Sequence, residues 1–421
     1  MEDKISKLQN RIDEIVSQSE IDFSQDKMNK LKPEINSLIQ QLDEVYEDQQ
    51  LNKKQRGRIY NLKGKILDVL PEYSQQAEEV LSKALKLDPS SLETWNTLGH
   101  ILWKKKDYLN AKKMFEGAIE QCGKNKQSLR YLSIVLRCIG NGSERNKNVE
   151  KSIELANEAV KLDLKDGESW YVLGNAYLSN FFVNLKTIDE LKKSLQAYIQ
   201  AEKNLTKPNP DLFYNRGTIF QYLEDYKKAI EQYNKASELD STLQASNQIQ
   251  YMQNKVNTIV ELIKNRGKIK QKRLQNMVKT IPTALRNQVQ NSQYTVTNLS
   301  GLKEGINKGF ILTCKITHNI SKKGEVPATF LFTDSQTSFA ALSIYNTSDD
   351  IYDQVKENAD VYIVDPMIKN IKINEESYSC IQVFDIKNLF VDFEQVIAAF
   401  SPSMVVNETF QNQVNENSQK Q

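Results

Sequence analysis

The sequence predicts an α+β chain of more than one domain: an N-terminal all-α solenoid of repeated helix pairs, followed by a small closed β-barrel. Three observations carry this. A motif of large and small apolar residues recurs between Ala77 and Ala236. Beyond Pro282 the apolar residues switch to alternation with period two. Between those regions, from Glu261 to Glu304, no Asp or Glu occurs, although the chain as a whole has 56 basic residues against 54 acidic. Positive charge is concentrated in one place.

Composition narrows the function classes first. A chain of 421 residues is long for a single core, so two or three domains are expected. The mean hydropathy of -0.58 fits a soluble protein, and no apolar run approaches the roughly 18 residues of a membrane helix. The start, MEDKISKLQNRIDEIVSQ, has no apolar stretch of the secretory kind, so no signal peptide is expected. Cys122, Cys138, Cys314 and Cys380 lie far apart and form no CxxC pair, which argues for a reducing compartment and against a disulfide framework or zinc knuckle. His100 and His318 are the only histidines, too few for a His-based metal site or for Ser-His or Cys-His catalysis. There is no P-loop and no GxGxxG motif. The expectation is a non-enzymatic protein without cofactor or metal.

The repeat is clearest in WNTLGHILWKKKDYLNAKKMFEGAI: Trp95, Leu98 and Gly99 on one helix, then Ala111, Phe115 and Ala118 on the next. This pattern resembles the tetratricopeptide (TPR) unit of about 34 residues. Small residues stand where two helices approach closely, and large ones fill the space between pairs. Ala77, Leu81, Ala84 and Pro89 form the back half of an earlier unit. Leu132, Ser133, Ser152, Ala156 and Ala159 form a unit with an insertion at NGSERNKN. Trp170, Leu173, Gly174, Tyr198 and Ala201 form another, with a longer insertion around NFFVNLKTIDEL. Phe213, Gly217, Phe220, Ala229, Tyr233 and Ala236 form the last. The repeats thus occupy residues 57–242, preceded over 1–56 by amphipathic helices (Ile5, Leu8, Ile12, Ile15) packed on the solenoid. Residues 243–281 hold a capping helix and the basic segment.

Stacked helix pairs curl around a concave groove lined by the first helix of each pair. Repeat register assigns to that lining Glu93, Asn96, His100 and Trp103, then Arg130 and Arg137, then Glu168, Tyr171 and Asn175, then Asp211, Tyr214 and Gln221. Taken singly, each is more often an ordinary solvated residue. As a set they suit an extended peptide: asparagines can bond its backbone, and fixed charges of both signs can select its side chains.

After a linker expected at 282–293, GFILTCKIT places Phe310, Leu312, Cys314 and Ile316 on one strand face. ATFLFTD and SFAALSIYN read as a hairpin, DDIYDQVKENAD as a helix, ADVYIVDPMIKNIKI as a strand broken at Pro366, and SYSCIQVFDIKNLFV as a last strand. That order is the order of an OB-fold over residues 294–398, with a polar tail expected over 399–421. OB-folds often stack single-stranded nucleic acid on exposed aromatics. Phe330, Phe332, Phe339 and Tyr345 lie in the right strands, but alternating aromatics in short strands are more often core.

The basic run NRGKIKQKRLQNMVK carries Arg266, Lys268, Lys270, Lys272, Arg273 and Lys279. Leu274, Met277, Val278 and Ile281 recur at helical spacing, so 271–281 should be a helix with one buried face. A charge run is usually a solvated face. Here the long absence of acids favours contact with a polyanion through its phosphates, without base reading.

The combination of repeats, basic segment and OB-fold resembles the tetratricopeptide repeat protein five family, the TPR-plus-OB-fold factors of tubulin autoregulation. AEEVLSKALKLDP, SLETWNTLG, LSIVLRCIG, ESWYVLGNAYLS, NPDLFYNRGTIF and RGKIKQKRLQNM carry the resemblance, which runs from about residue 57 to 395. It implies an adaptor that recognises the nascent N-terminal peptide of α- and β-tubulins, Met-Arg-Glu followed by an apolar residue, on translating ribosomes, and recruits factors for tubulin mRNA decay. It implies groove roles for Arg137 and Asp211, and contact with ribosomal RNA near the exit tunnel for Lys270 and Lys272, which neighbouring Lys268 and Arg273 would assist. With the register argument, the expected peptide site is Arg137, Asp211, Asn96, Asn175, Arg130, Glu168 and Tyr214. A further groove glutamate of the family has no counterpart: Gln244 and Ala245 stand there. The expected location is cytoplasmic, with a nuclear pool implied by the family's described role with acetyltransferase coactivators. Two alternatives stay open: a nuclear transcription cofactor scaffold, and a single-strand nucleic-acid binder acting through the OB-fold.

Overall fold

The structure is a computed structural model that describes residues 2–19, 27–48, 50–185, 187–281 and 294–396. The linker expected at 282–293 and the tail expected at 399–421 lie outside the described residues. By backbone contacts the described chain forms two compact units, one holding 2–216 and 235–244, the other 217–234 and 245–396.

The first unit begins with α1 (Glu2–Ser19) and α2 (Lys27–Tyr46), whose Ile5, Ile12, Ile15, Ile35 and Leu42 are buried together with Ile59 and Leu62 of α3 (Lys53–Asp68). Then come α4 (Gln75–Leu87), α5 (Leu92–Lys104), α6 (Tyr108–Cys122), α7 (Lys126–Leu136), α8 (Gly142–Leu162), α9 (Gly167–Asn180) and α10 (Ile188–Asn204). They pack in successive pairs, α3 on α4, α5 on α6, α7 on α8 and α9 on α10. Capping side chains set the starts: Ser91 accepts the Thr94 N–H, Asn125 that of Ser128, and Asp166 that of Ser169. The small-residue positions do what the motif requires. A Cβ on Gly99 would stand 2.5 Å from the Phe115 ring, and one on Gly174 would stand 2.5 Å from the Tyr198 ring. The repeat also shows in the indoles, since Trp95 Nε1 donates to the Pro89 carbonyl and Trp170 Nε1 to that of Leu164. The insertion NFFVNL is not a loop throughout: Phe181–Leu185 continue α9 as a π-helical turn that buries Phe181 and Phe182.

Two further helices, α11 (Pro210–Tyr222) and α12 (Tyr226–Leu239), run across the boundary between the units. In the second unit, α13 (Ala245–Lys264) and α14 (Gln271–Lys279) precede the sheet. Its strands are β1 (Thr295–Thr297), β2 (Gly305–Ile306), β3 (Phe310–Asn319), β4 (Ala328–Asp334), β5 (Phe339–Ile344), β6 (Asp360–Val364), β7 (Met367–Ile373), β8 (Glu376–Val383), β9 (Leu389–Val391) and β10 (Glu394–Gln395). β3, β4 and β5 form an antiparallel meander, and β5 pairs in parallel with β8. The one-turn helix α15 (Ile351–Gln354) lies between β5 and β6, where the OB order requires it. β6 pairs with β3 at one end of the ladder and β7 with β8 at the other. Because β6 and β7 are one strand interrupted at Asp365–Pro366, the sheet curls round on itself. Leu312, Cys314, Ile316, Phe330, Phe332, Leu342, Ile344 and Ile381 fill the interior.

The alternation read from the sequence holds for the interior, but every residue of β4 is buried, on both faces. The reason is α13. Read from the sequence as a cap on the repeats, it packs over β4, β5 and β8, burying Met252, Val256, Ile259 and Val260. Lys264 at its end is ion-paired to Glu376 at 2.9 Å.

Candidate functional site

The expected groove residues divide by burial. Asn96 is buried: its Oδ1 accepts the Ser128 hydroxyl at 2.8 Å, tying α5 to α7. Asn175 is fully buried: its Oδ1 accepts from the Tyr198 hydroxyl at 2.6 Å and from Asn215 Nδ2 at 3.1 Å, tying α9 to α10 and α11. The structure therefore puts both asparagines to work between helices: a peptide would have to displace Ser128, Tyr198 or Asn215 to bond them. The physical reason is that they sit between neighbouring first helices, where a buried amide oxygen must be met by donors. Arg137, 8% exposed, lies at the end of α7 with Nη1 donating to Ser133 Oγ at 2.9 Å and to the Ser133 carbonyl at 3.2 Å. Asp211 is buried in the first turn of α11, where its own N–H donates to Asn209 Oδ1 at 2.9 Å. The helix end there favours a carboxylate. Half-buried Arg130 is ion-paired with Asp166. Burial would raise the Asp166 carboxyl, but the Ser169 hydrogen bond and the Arg130 charge outweigh it and hold it below the usual range. Glu168 is exposed and Tyr214 half-buried. Register also selected His100. It bonds Asp68 through Nδ1 at 2.6 Å, and Lys104 pairs with the same carboxylate at 2.8 Å.

The basic segment is part of the second unit. After α13 the backbone turns through Gly267 at φ +63, where a Cβ would come within 2.9 Å of the His318 ring on β3. Glycine is therefore needed twice over, for the left-handed backbone and for the close approach. Lys268 is ion-paired with Glu261 at 2.8 Å, so its charge is already met. Leu274 and Met277 on α14 are buried, as the helical spacing predicts. Lys270, Lys272 and Arg273 are exposed, and among the described residues no carboxylate pairs with them. They rim a cleft of about 560 Å³ whose other walls are Asn276, Met277 and Thr280 of the helical segment and Lys315 and Asn358 of the barrel. The Lys315 ammonium is held by Asp360 at 2.7 Å and by the Asn358 carbonyl at 3.1 Å.

A third feature was invisible in the sequence. Glu224, in the turn between α11 and α12, is 1% exposed at φ +53. Its Oε1 accepts from Ser343 at 2.9 Å, and its Oε2 from the Tyr345 hydroxyl at 2.8 Å and Gln382 Nε2 at 2.9 Å. The carbonyl of Leu223 beside it accepts the Lys369 ammonium at 2.7 Å. Burial, reinforced by the Glu224 charge, pushes the Tyr226 and Tyr345 hydroxyls well above their usual range. Burial lowers Lys255 on α13, against the pull of Glu224 and Glu325. The outer face of β4 and β5, where OB-folds hold oligonucleotides, is thus covered by the chain's own α13 and by a turn that places a carboxylate there. Phe330, Phe332 and Tyr345 are fully buried, and Phe339 is half-buried. Nothing in YLEDYKKA distinguishes Glu224 from an ordinary repeat turn.

Comparison with known proteins agrees with this architecture. Residues 293–405 match the family model "Tetratricopeptide repeat protein 5 OB fold domain", and residues 92–125 and 210–243 match tetratricopeptide repeat models. Tetratricopeptide repeat protein 5 of Mus musculus is 38% identical over 300 residues, 68% of this chain and 68% of that protein. That of Homo sapiens is 36% identical over 306 residues, 69% of each. The chain belongs to the tetratricopeptide repeat protein 5 family. As a member of the tetratricopeptide repeat protein 5 family it is an adaptor built of TPR repeats and an OB-fold, as the repeat spacing and strand order anticipate. Within this family member, Lys315, Asn358, Asn215 and Glu224 are the residues that sequence reading missed, each defined by a partner distant in the chain.

Proposed function

We propose that this family member is a non-enzymatic adaptor that recognises the nascent N-terminal peptide of tubulins on translating ribosomes and triggers decay of tubulin mRNA in the cytoplasm. The observation that carries the reading is the charge balance of the basic segment. Lys268 has its carboxylate, whereas Lys270, Lys272 and Arg273 are left without one among the described residues, exposed on one rim. Ribosomal RNA is a polyanion that such a rim attracts without reading sequence. Peptide recognition is assigned to Arg137 and Asp211, with Glu168 and Tyr214 offering accessible surface on the same set of first helices. Asp211 would pair with the peptide's arginine and Arg137 with its glutamate or backbone carbonyls.

A nascent tetrapeptide is a small handle. A second, electrostatic contact would convert weak groove binding into useful avidity by raising effective concentration. The decisive experiment is crosslinking of the purified protein to ribosomes stalled while translating tubulin. Crosslinks to ribosomal RNA and to the nascent chain, lost when the tubulin N-terminus is replaced, are expected; crosslinking indifferent to the nascent chain overturns the reading.

A further inference from the structure

The cleft beside α14 is more than a charged rim. Contact with the phosphates of a duplex needs only exposed cations and gains nothing from a hollow. Here the cations Lys270, Lys272 and Arg273 surround a space of about 560 Å³ that also has a thioether, Met277, and two side-chain amides, Asn276 and Asn358. Neither amide makes a side-chain hydrogen bond among the described residues. The Lys315 ammonium in the wall is engaged by Asp360 and the Asn358 carbonyl, which fixes that wall instead of adding free charge. Cations for a phosphate, an apolar surface for a ring face and amides for a ring edge, in one hollow, are the components that recognise an unstacked nucleotide.

We propose that the cleft between α14 and the barrel receives a single everted nucleotide of a structured RNA, its phosphate at Lys270, Lys272 and Arg273, its base against Met277 and its edge at Asn276 and Asn358. The inference rests on the reading that this segment meets ribosomal RNA, and it assigns to that contact a preference for RNA with an unpaired nucleotide.

The test uses the full chain and two fluorescent RNA hairpins of equal length, one fully paired and one with a single-nucleotide bulge, in anisotropy titrations at fixed ionic strength. The bulged hairpin should bind about tenfold tighter, the scale of one stacked base. Asn276→Ala, at an exposed position, should reduce that preference while leaving the paired hairpin's affinity unchanged. Lys270→Glu with Lys272→Glu should weaken both hairpins. Equal affinity of the parent for the two hairpins overturns the nucleotide pocket and leaves the electrostatic reading standing. Failure to bind either hairpin overturns both. Adenosine monophosphate alone binding as tightly as the bulged hairpin would make this a free-nucleotide site and overturn the assignment to RNA.

Discussion

Glu224 and Tyr345 stand 121 positions apart in the chain, and the carboxylate of one accepts the hydroxyl of the other at 2.8 Å. The bond joins the turn after α11 to the outer face of the barrel. Together with Ser343 and Gln382 it occupies a carboxylate that burial would otherwise make costly. The last repeat turn, α13 and the barrel therefore hold together as one compact unit.

The first prediction concerns that contact. Glu224→Ala leaves three buried donors without an acceptor, and should destabilise the second unit by about 3–5 kcal/mol. Urea unfolding read by hydrogen exchange of the barrel amides measures this, since Trp95, Trp103 and Trp170 all lie in the first unit. Glu224→Gln, which keeps the shape and one acceptor oxygen, should cost less; equal loss in both variants would show that the carboxylate's charge and second acceptor, not side-chain shape, matter there.

The covered face leads to the second. With Lys270→Glu and Lys272→Glu removing the basic rim, the chain should have no salt-sensitive affinity for single-stranded DNA or RNA. Tight binding of an oligothymidine by that variant would mean that α13 releases the face.

Peptide binding supplies the third. A charge-assisted bond in a desolvated groove contributes about 1.5–3 kcal/mol, so Arg137→Ala and Asp211→Ala should each weaken a Met-Arg-Glu peptide by roughly 10- to 100-fold. Calorimetry with a synthetic peptide decides it, and two variants binding like the parent would remove these residues from the site.

The rim supplies the fourth. Lys270→Glu with Lys272→Glu should abolish co-sedimentation with tubulin-translating ribosomes while peptide affinity survives. Each lysine replaced by alanine should lower the salt slope by about one unit. Lys268→Ala should change ribosome binding less than either of these, because Lys268 is ion-paired with Glu261.

The fifth concerns pH. Burial would raise the Asp68 carboxyl, but His100 and Lys104 overcome that and hold it below its usual range. A lowered folded value means that Asp68 contributes stability at neutral pH, and that this is lost as pH falls below about 4, through the folded value. Asp68→Asn should destabilise the protein at pH 7 and flatten the acid limb of its stability curve. An acid limb as steep as the parent's would assign that loss to other groups.

The sequence by itself determined the elements and their order. Gly99 opposite Phe115 and Gly174 opposite Tyr198 are local consequences of the repeat: spacing fixes which residues of adjacent helices meet, and only glycine leaves room. The same holds for the face of α14 bearing Leu274 and Met277, and for the period-two interior of Leu312, Cys314 and Ile316, because helical and strand periods are carried by neighbours in the chain. Tertiary structure alone decided how polar residues were spent. Asn96 and Asn175 occupy register positions that should line a groove, yet Ser128, Asn215 and Tyr198 claim them. Lys268 and Lys270 look alike in the sequence, but a carboxylate reaches only the first among the described residues. Glu224 reads as an ordinary turn residue until strands more than a hundred residues away supply its donors. A polar side chain's role depends on which partner satisfies it after burial, and that partner is chosen by the packing of distant elements, which no local period encodes.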